Sequence, residues 1–372
     1  MIAFNIWAWI KTQWIWNKLR NTKLIKFKRK LESIVEFYIR PFILRTSIKH
    51  LHGLEHIDYT QNELIVTCVV RNGELYVKSF IEHYLVLGVK HIVFLDNGST
   101  DNTVALASAY ENVTILQTRC PYQIYETIMK RYLVKRFSQN RWNLFVDIDE
   151  LFDYPFSDKI SLNLFLEYLH QNSYTAVVAQ MLDLFADKSL ASLTSSKNDS
   201  IKEIYKHYDI SNIKKYTYPH GKLSNQNVYL HQGGIRKTLF NTDNGLTKAA
   251  LIFVNDELIP FVEFHHVENA YIADLTTVLL HYPFVSSFAK KVEEAVRTDR
   301  YKLSASQEYK MYWERLKQNP SIDIKQETSQ KLDNINSLLD NGFLFGSNNY
   351  KQWVERHTQS HSNDEKIKPS FR

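Results

Sequence analysis

Asp147 and Asp149 stand two apart where the apolar run Leu144, Phe145, Val146 stops. A short run of that kind reads as a buried strand, which puts both acids at its carboxyl end. In an extended chain, side chains two apart share a face and lie about 6.5 Å from each other. Carboxylates so placed repel. A hard divalent cation would hold them together, because it takes oxygen ligands and keeps water and phosphate in its shell. A solvated strand-to-loop turn, where Asp is common, accounts for the same spacing. The elements around the pair must decide.

From residue 64 the chain alternates. LIVTCVV (64–70) reads as a buried strand, ELYVKSFIEHYLVLG (74–88) as a helix closed by Gly88, and HIVFL (91–95) as a second strand. After the polar turn DNGSTD come a short helix near 102–110, a strand VTILQT (113–118), a helix over about 122–138 and the strand that ends at the acids. KISLNLFLEYL then predicts a helix, and TAVVAQML (175–182) a further buried strand. Such alternation implies an α/β fold with a mostly parallel, Rossmann-like sheet, whose ligands bind at the carboxyl ends of its strands. Two strand ends then meet on one edge, Asp96 with Asn97 and Asp147 with Asp149. An early acid can accept from a ribose hydroxyl or a base N–H, and a later pair can hold a metal against a diphosphate. That describes a nucleotide-diphosphate site, although no GxGxxG or phosphate-loop motif is present.

The 372 residues are 44% hydrophobic and 13% aromatic, enough for a large core in one or two domains. The formal charge is +6, but residues 1–50 carry a surplus of nine cations, leaving the rest near −3. Local basicity argues against a body-wide nucleic-acid surface and leaves nucleic acid only as a lesser alternative for the arm. With Trp7, Trp9, Trp14 and Trp16 beside KLRNTKLIKFKRK, it suggests an arm in the headgroup layer of an anionic membrane, or one packed on the protein's own body or on a second subunit. Cys68 and Cys120 are the sole cysteines, which suits a reducing compartment and rules out a thiolate metal cluster. No apolar run is long enough to span a bilayer, and MIAFNIWAWI lacks the basic start and cleavage site of a secretory signal. The expected location is cytoplasmic, with peripheral placement on the inner face of the plasma membrane as the option the arm leaves open.

RNGELYVKSFIEHYLVLGVKHIVFLDNGSTDNT followed by RWNLFVDIDELF resembles the family 2 glycosyltransferases of GT-A fold, in particular a bacterial branch with a DNGSTD loop and a D-x-D-E metal motif. MLDLF (181–185), GGIRKTLF (233–240), LTKAALI, the pair His265 and His266, and LLHYPFVSSF (279–288) extend the resemblance over about 64–300. It implies an enzyme that moves a sugar from a nucleotide-diphosphate donor to a saccharide or lipid-linked acceptor hydroxyl in polysaccharide or glycan synthesis, with inversion. Asp96 would contact the nucleotide together with Asn97 and Arg71. Asp147 would touch ribose or metal-bound water, Asp149 would ligate Mn2+ or Mg2+, and His281 would complete the metal shell unless it is a core histidine. One departure stands out: relatives carry Glu after the Arg-Asn pair, where this chain has Gly73, so either Glu74 substitutes or that contact is weakened. As the base that deprotonates the acceptor, Asp183 is the first choice, at the end of its strand, ahead of Asp187, Glu268, His265 and His266. Arg236 and Lys237 are candidates for the diphosphate, with a plain surface loop as the alternative, and Gly233 and Gly234 would let backbone approach a ligand closely.

The expected organisation is an arm over 1–60, a GT-A domain over 61–300, a helical appendix over 301–355 and a polar tail over 356–372. Two other readings compete. A non-catalytic descendant of the fold would bind nucleotide-sugar or membrane without turnover, and a haloacid-dehalogenase-like phosphatase would use the first Asp as nucleophile. In the phosphatases that motif ends the first strand, whereas here at least three strands precede it.

Overall fold

The computed structural model describes residues 30, 32–194, 200–262, 265–301 and 303–364. It divides into two compact units, Met1–Ile48 and Lys49–Arg372. In the first, a π-helical turn, Val35–Ile39, runs into an α-helix, Arg40–Ser47. Pro41 accounts for the wide turn. Its nitrogen donates nothing and its ring would clash with the carbonyl four residues back, so the turn opens to five-residue bonding, seen in the Arg40 N–H to Val35 carbonyl bond. The four tryptophans of the expected arm and its basic run over 18–29 lie outside the described residues.

The second unit is built on a ten-stranded mixed sheet flanked by helices. Its strands in chain order are β1 Lys49–His52, β2 Leu64–Val70, β3 His91–Asp96, β4 Val113–Gln117 and β5 Arg141–Phe145, then β6 Glu150–Asp153, β7 Ala176–Asp183, β8 Lys222–Leu223, β9 Thr247–Val254 and β10 Tyr271–His281. The spatial order is β1-β4-β3-β2-β5-β9-β7-β10-β8, with β6 paired to the end of β10. The run β4-β3-β2-β5 is parallel, β7, β10 and β8 are parallel to one another, and β9 runs antiparallel between the two sets. Parallel pairing predominates, as the β-α alternation predicts.

The crossovers from β2 to β5 are helices α1 Val77–Leu87, α2 Thr103–Ala107 and α3 Tyr122–Phe137. Helix α4 Leu162–Gln171 leads to β7. Strands buried on both faces read as unbroken apolar runs, and β2, β3 and β7 are buried along nearly their whole length. Further helices are α5 Ile235–Phe240, α6 Phe288–Thr298, α7 Leu303–Gln318 and α8 Asn348–Asp364. The segment expected as an appendix contributes Tyr312, Ile324, Leu338 and Tyr350 to the same buried core as the sheet. Helix α8 runs on to Asp364, through residues expected to form a tail.

Candidate active site

Strand β10 assembles the site. Its last residue, His281, stands opposite Glu150 of β6 on one side and Asp183 of β7 on the other, and the next residue's N–H donates to the Asp149 carbonyl at 2.9 Å. Residues 98 to 133 positions apart in sequence are thereby fixed at one edge by backbone pairing.

Asp147 and Asp149 are not on the shared extended face that their spacing suggests. Strand β5 stops at Phe145, and Asp147 to Glu150 form a turn closed by the Glu150 N–H donating to the Asp147 carbonyl at 3.0 Å. The turn separates the two carboxylates, and each meets its own cation. Asp147 accepts from Lys248 Nζ at 2.7 Å, and the same ammonium donates to Glu150 at 2.5 Å. The second oxygen of Glu150 accepts the Asp147 N–H at 3.0 Å, so the turn is pinned at both ends. Asp149 Oδ2 lies 3.2 Å from Lys291 Nζ and 3.8 Å from His281 Nε2.

Asp183 has both oxygens engaged. Oδ1 is 2.6 Å from His281 Nδ1 and Oδ2 accepts from Arg236 Nε at 2.8 Å. Arg236 continues to Glu308 at 3.4 Å, with its remaining nitrogen against Met181 Sδ. Asp183 is therefore bound inside the protein, and Arg236, expected to reach a diphosphate, is spent on Asp183 and Glu308.

Electrostatics follow from this wiring. Burial alone would push the carboxyls of Asp147, Asp149 and Asp183 up. Lys248 and Lys130 reverse it for Asp147, Lys291 and His281 for Asp149, and Arg236 and His281 for Asp183, so all three lie below the usual carboxylate range. Glu150, more deeply buried, goes up despite Lys248. The carboxylates raise Lys248 and Lys291 in turn, against the effect of burial. Asp147, Asp149, Asp183, Arg236, Lys248 and Lys291 are each held charged by a neighbour of opposite sign, whereas for Glu150 burial works against the charge.

The remaining expected residues lie nearby in other roles. Asp96, fully buried, accepts from the Gly98 and Ser99 N–H groups and from Gln117 Nε2 at 2.9 Å. Asn97 donates to the Thr118 and Cys120 carbonyls. Both therefore shape the DNGST loop from within. Asn72 ties that loop to its own, accepting from the Thr100 N–H at 2.9 Å, and Arg71 is exposed beside it. A Cβ at Gly73 would press on Ile148 Cγ1 and Val70 Cγ2 at 2.9 Å, so Ile148, between the two acids, fills the space a side chain there would need. Glu74 turns to Asn102. The close approach that Gly233 allows is to the chain itself: a Cβ there would stand 2.5 Å from the Asn212 carbonyl, and φ is +105°. Among the other candidate bases, Asp187 pairs with Lys325, Glu268 is exposed, and His266 meets the Tyr218 hydroxyl at 3.1 Å. His265 is held neutral by burial and by Lys248 and Lys130.

Lys248, Glu150 and Lys291 were missed in the sequence. Lys248 left one signal, a lone cation in the apolar strand LTKAALI, which requires a buried partner.

The donor set fits a cation in part. Asp149 Oδ2 and His281 Nε2, 3.8 Å apart, are separated as two ligands of one ion with bonds of about 2.1 Å can be. Asp183 on Nδ1 leaves Nε2 to face outward, the arrangement that orients a ligating imidazole. Among the described residues no three metal-type side chains converge, and Asp147 is turned to Lys248. A cation here would take its remaining ligands from phosphate and water.

No family model and no curated protein matches the chain. Among solved structures it is similar to glucosyl-3-phosphoglycerate synthase from Mycobacterium tuberculosis. In the complex with Mn2+, uridine-diphosphate and glucosyl-3-phosphoglycerate, identity is 19%, 36% of this chain and 52% of that chain are covered, and the TM-score is 0.23. In the complex with Mn2+ and uridine-diphosphate-glucose, identity is 18%, 36% and 51% are covered, and the TM-score is 0.24. The match spans about half the length of that protein, and at this level the activity has to be argued from the chain's own side chains.

Proposed function

We propose that this chain is a metal-dependent glycosyltransferase of GT-A type that moves a sugar from a nucleoside-diphosphate donor to an acceptor hydroxyl with inversion. The observation that carries the reading is the Asp149–His281–Asp183 relay at the carboxyl edge of the sheet, with one oxygen and one imidazole nitrogen facing each other across 3.8 Å. In this reading Asp149 and His281 hold Mn2+ or Mg2+, which when bound neutralises the charge of the departing diphosphate. Asp183 is a positioning residue: it keeps His281 in the tautomer with Nε2 free, and Arg236 keeps Asp183 ionised. Asp147, a third exposed and held charged by Lys248, faces the donor ribose or water. Asp96 and Asn97 set the DNGST loop that borders the nucleotide, beside Arg71.

Asp149→Asn should lose most divalent-dependent donor turnover, on the order of 100-fold or more, with the melting temperature little changed because Lys291 can be solvated once unpaired. Turnover of a nucleotide-sugar panel in Mn2+ and in EDTA, with and without saccharide acceptors, tests the reading. Full activity of the variant, or of the wild type in EDTA, would sink it. A second reading, a binder of nucleotide-sugar without turnover, is favoured by the Ile148 packing that closes position 73 to a side chain. Metal-dependent donor binding with neither hydrolysis nor transfer would establish that one instead.

A further inference from the structure

Half of the large apolar side chains that are exposed among the described residues fall within 34–43. Phe37 is 63% exposed, Tyr38 73% and Phe42 68%, with Ile34, Ile39 and Ile43 also open. They lie on one continuous helical stretch, the π-turn Val35–Ile39 and the helix Arg40–Ser47. Scattered single apolar residues are ordinary on a surface, but three aromatic rings and their aliphatic neighbours within three turns are not.

The charge around this stretch identifies its partner. Residues 11–30, next to it in the sequence, contain eight Lys and Arg and no acid, while within 32–47 Arg40 and Arg45 balance Glu32 and Glu36, and Glu36 is paired with Arg40. A second copy of the chain would bring the same excess of cations beside the contact in sequence, which disfavours self-association. An anionic lipid surface matches both features, accepting rings and aliphatic side chains at the headgroup level while its phosphates attract the cations.

We infer that the helix over 32–47 docks the protein on an anionic membrane, lying in the headgroup layer with Phe37, Tyr38 and Phe42 inserted. The inference is independent of sugar transfer.

Flotation of the full chain with vesicles of phosphatidylcholine alone and of phosphatidylcholine mixed with phosphatidylglycerol tests it. The wild type should float with the anionic vesicles, and less so as salt approaches about 1 M, where charges are screened beyond about 3 Å. Phe37→Ser with Phe42→Ser should reduce anionic-vesicle binding on the order of 10-fold or more, with the melting temperature and the sugar-transfer activity unchanged. If the double variant unfolds, Tyr38→Ser alone gives the same reading with a smaller loss. Failure of the wild type to bind anionic vesicles, equal binding to neutral ones, or full binding by folded variants would overturn the inference. So would a wild-type dimer in light scattering that the double variant abolishes while vesicle binding persists.

Discussion

Lys291 occupies the position on Asp149 that a metal ion would contest. Its ammonium sits 3.2 Å from the oxygen that also faces His281, and its side chain is 41% exposed, so it can leave without unfolding anything. A cation binding at that oxygen must displace one positive charge to install another, and a diphosphate arriving with the metal offers the displaced ammonium a new partner. Lys291→Gln should therefore tighten Mn2+ binding in the absence of nucleotide, by about 2- to 5-fold given the modest strength of exposed pairs, and weaken nucleoside-diphosphate binding by a similar factor. Calorimetric titration of Mn2+ into both proteins, alone and with a nucleoside diphosphate, measures the two effects. Unchanged Mn2+ affinity would show that Lys291 does not compete. At this scale Asp149 is legible in the sequence because two acids after an apolar run are costly without a purpose. The pairing of Asp183 is not, since its partners Arg236 and His281 lie 53 and 98 residues away, and only strand register brings in His281 and only the placement of helix α5 brings in Arg236.

Among the elements, β9 has the largest effect for the least sequence signal. It enters antiparallel between β5 and β7, and its second residue, Lys248, is carried to the turn that holds Asp147 and Glu150. Glu150 is 1% exposed, so removing the ammonium leaves a carboxylate buried without a counter-charge. Lys248→Met is expected to cost about 3–5 kcal/mol, the usual consequence of breaking a buried pair from one side. Adding Glu150→Gln should recover a good part of it. Urea unfolding of the single and double variants measures both, and a single variant within about 1 kcal/mol of wild type would mean that the turn does not depend on Lys248. Strands β2, β3, β4 and β7 and helices α1 to α4 were readable because each satisfies a local rule, an unbroken apolar run or a helical period closed by a cap. The turn at 147–149 was not. An extended continuation of β5 obeys the same local rules, and what bends the chain is the pairing of β6 with β10, more than 120 residues on. The GT-A resemblance points to the edge of the sheet where these charged groups gather, while the ion pairs among them depend on tertiary placement.

Four buried histidines give the whole molecule a pH dependence distinct from that of its acids. Burial, helped by Lys202 for His83 and Lys215 for His231, lowers both to about 3, and burial lowers His91 and His266 to about 4, aided by His52 and His220. Their unfolded value is near 6.5. Above that pH both states are neutral and nothing is lost. Below it the unfolded chain takes up protons that the folded one refuses, so stability declines from about pH 6.5 and levels only near pH 3–4. The depressed carboxylates Asp149 and Asp183 act in the same direction but lower down, because their contribution persists until the pH falls below the ordinary carboxyl value. The two windows are separable. At pH 5 each buried histidine should cost on the order of 1–2 kcal/mol, before any carboxylate is protonated to a comparable degree. Melting temperature should thus fall steadily from pH 7 to 5. Replacing His231, whose Nδ1 has no hydrogen-bond partner among the described residues, by Gln should flatten that slope by about a fifth, since His265, also depressed by burial, shares it. A melting temperature constant from pH 7 to 5 that drops only below about pH 4 would assign acid sensitivity to the carboxylates alone and remove the histidines from the account.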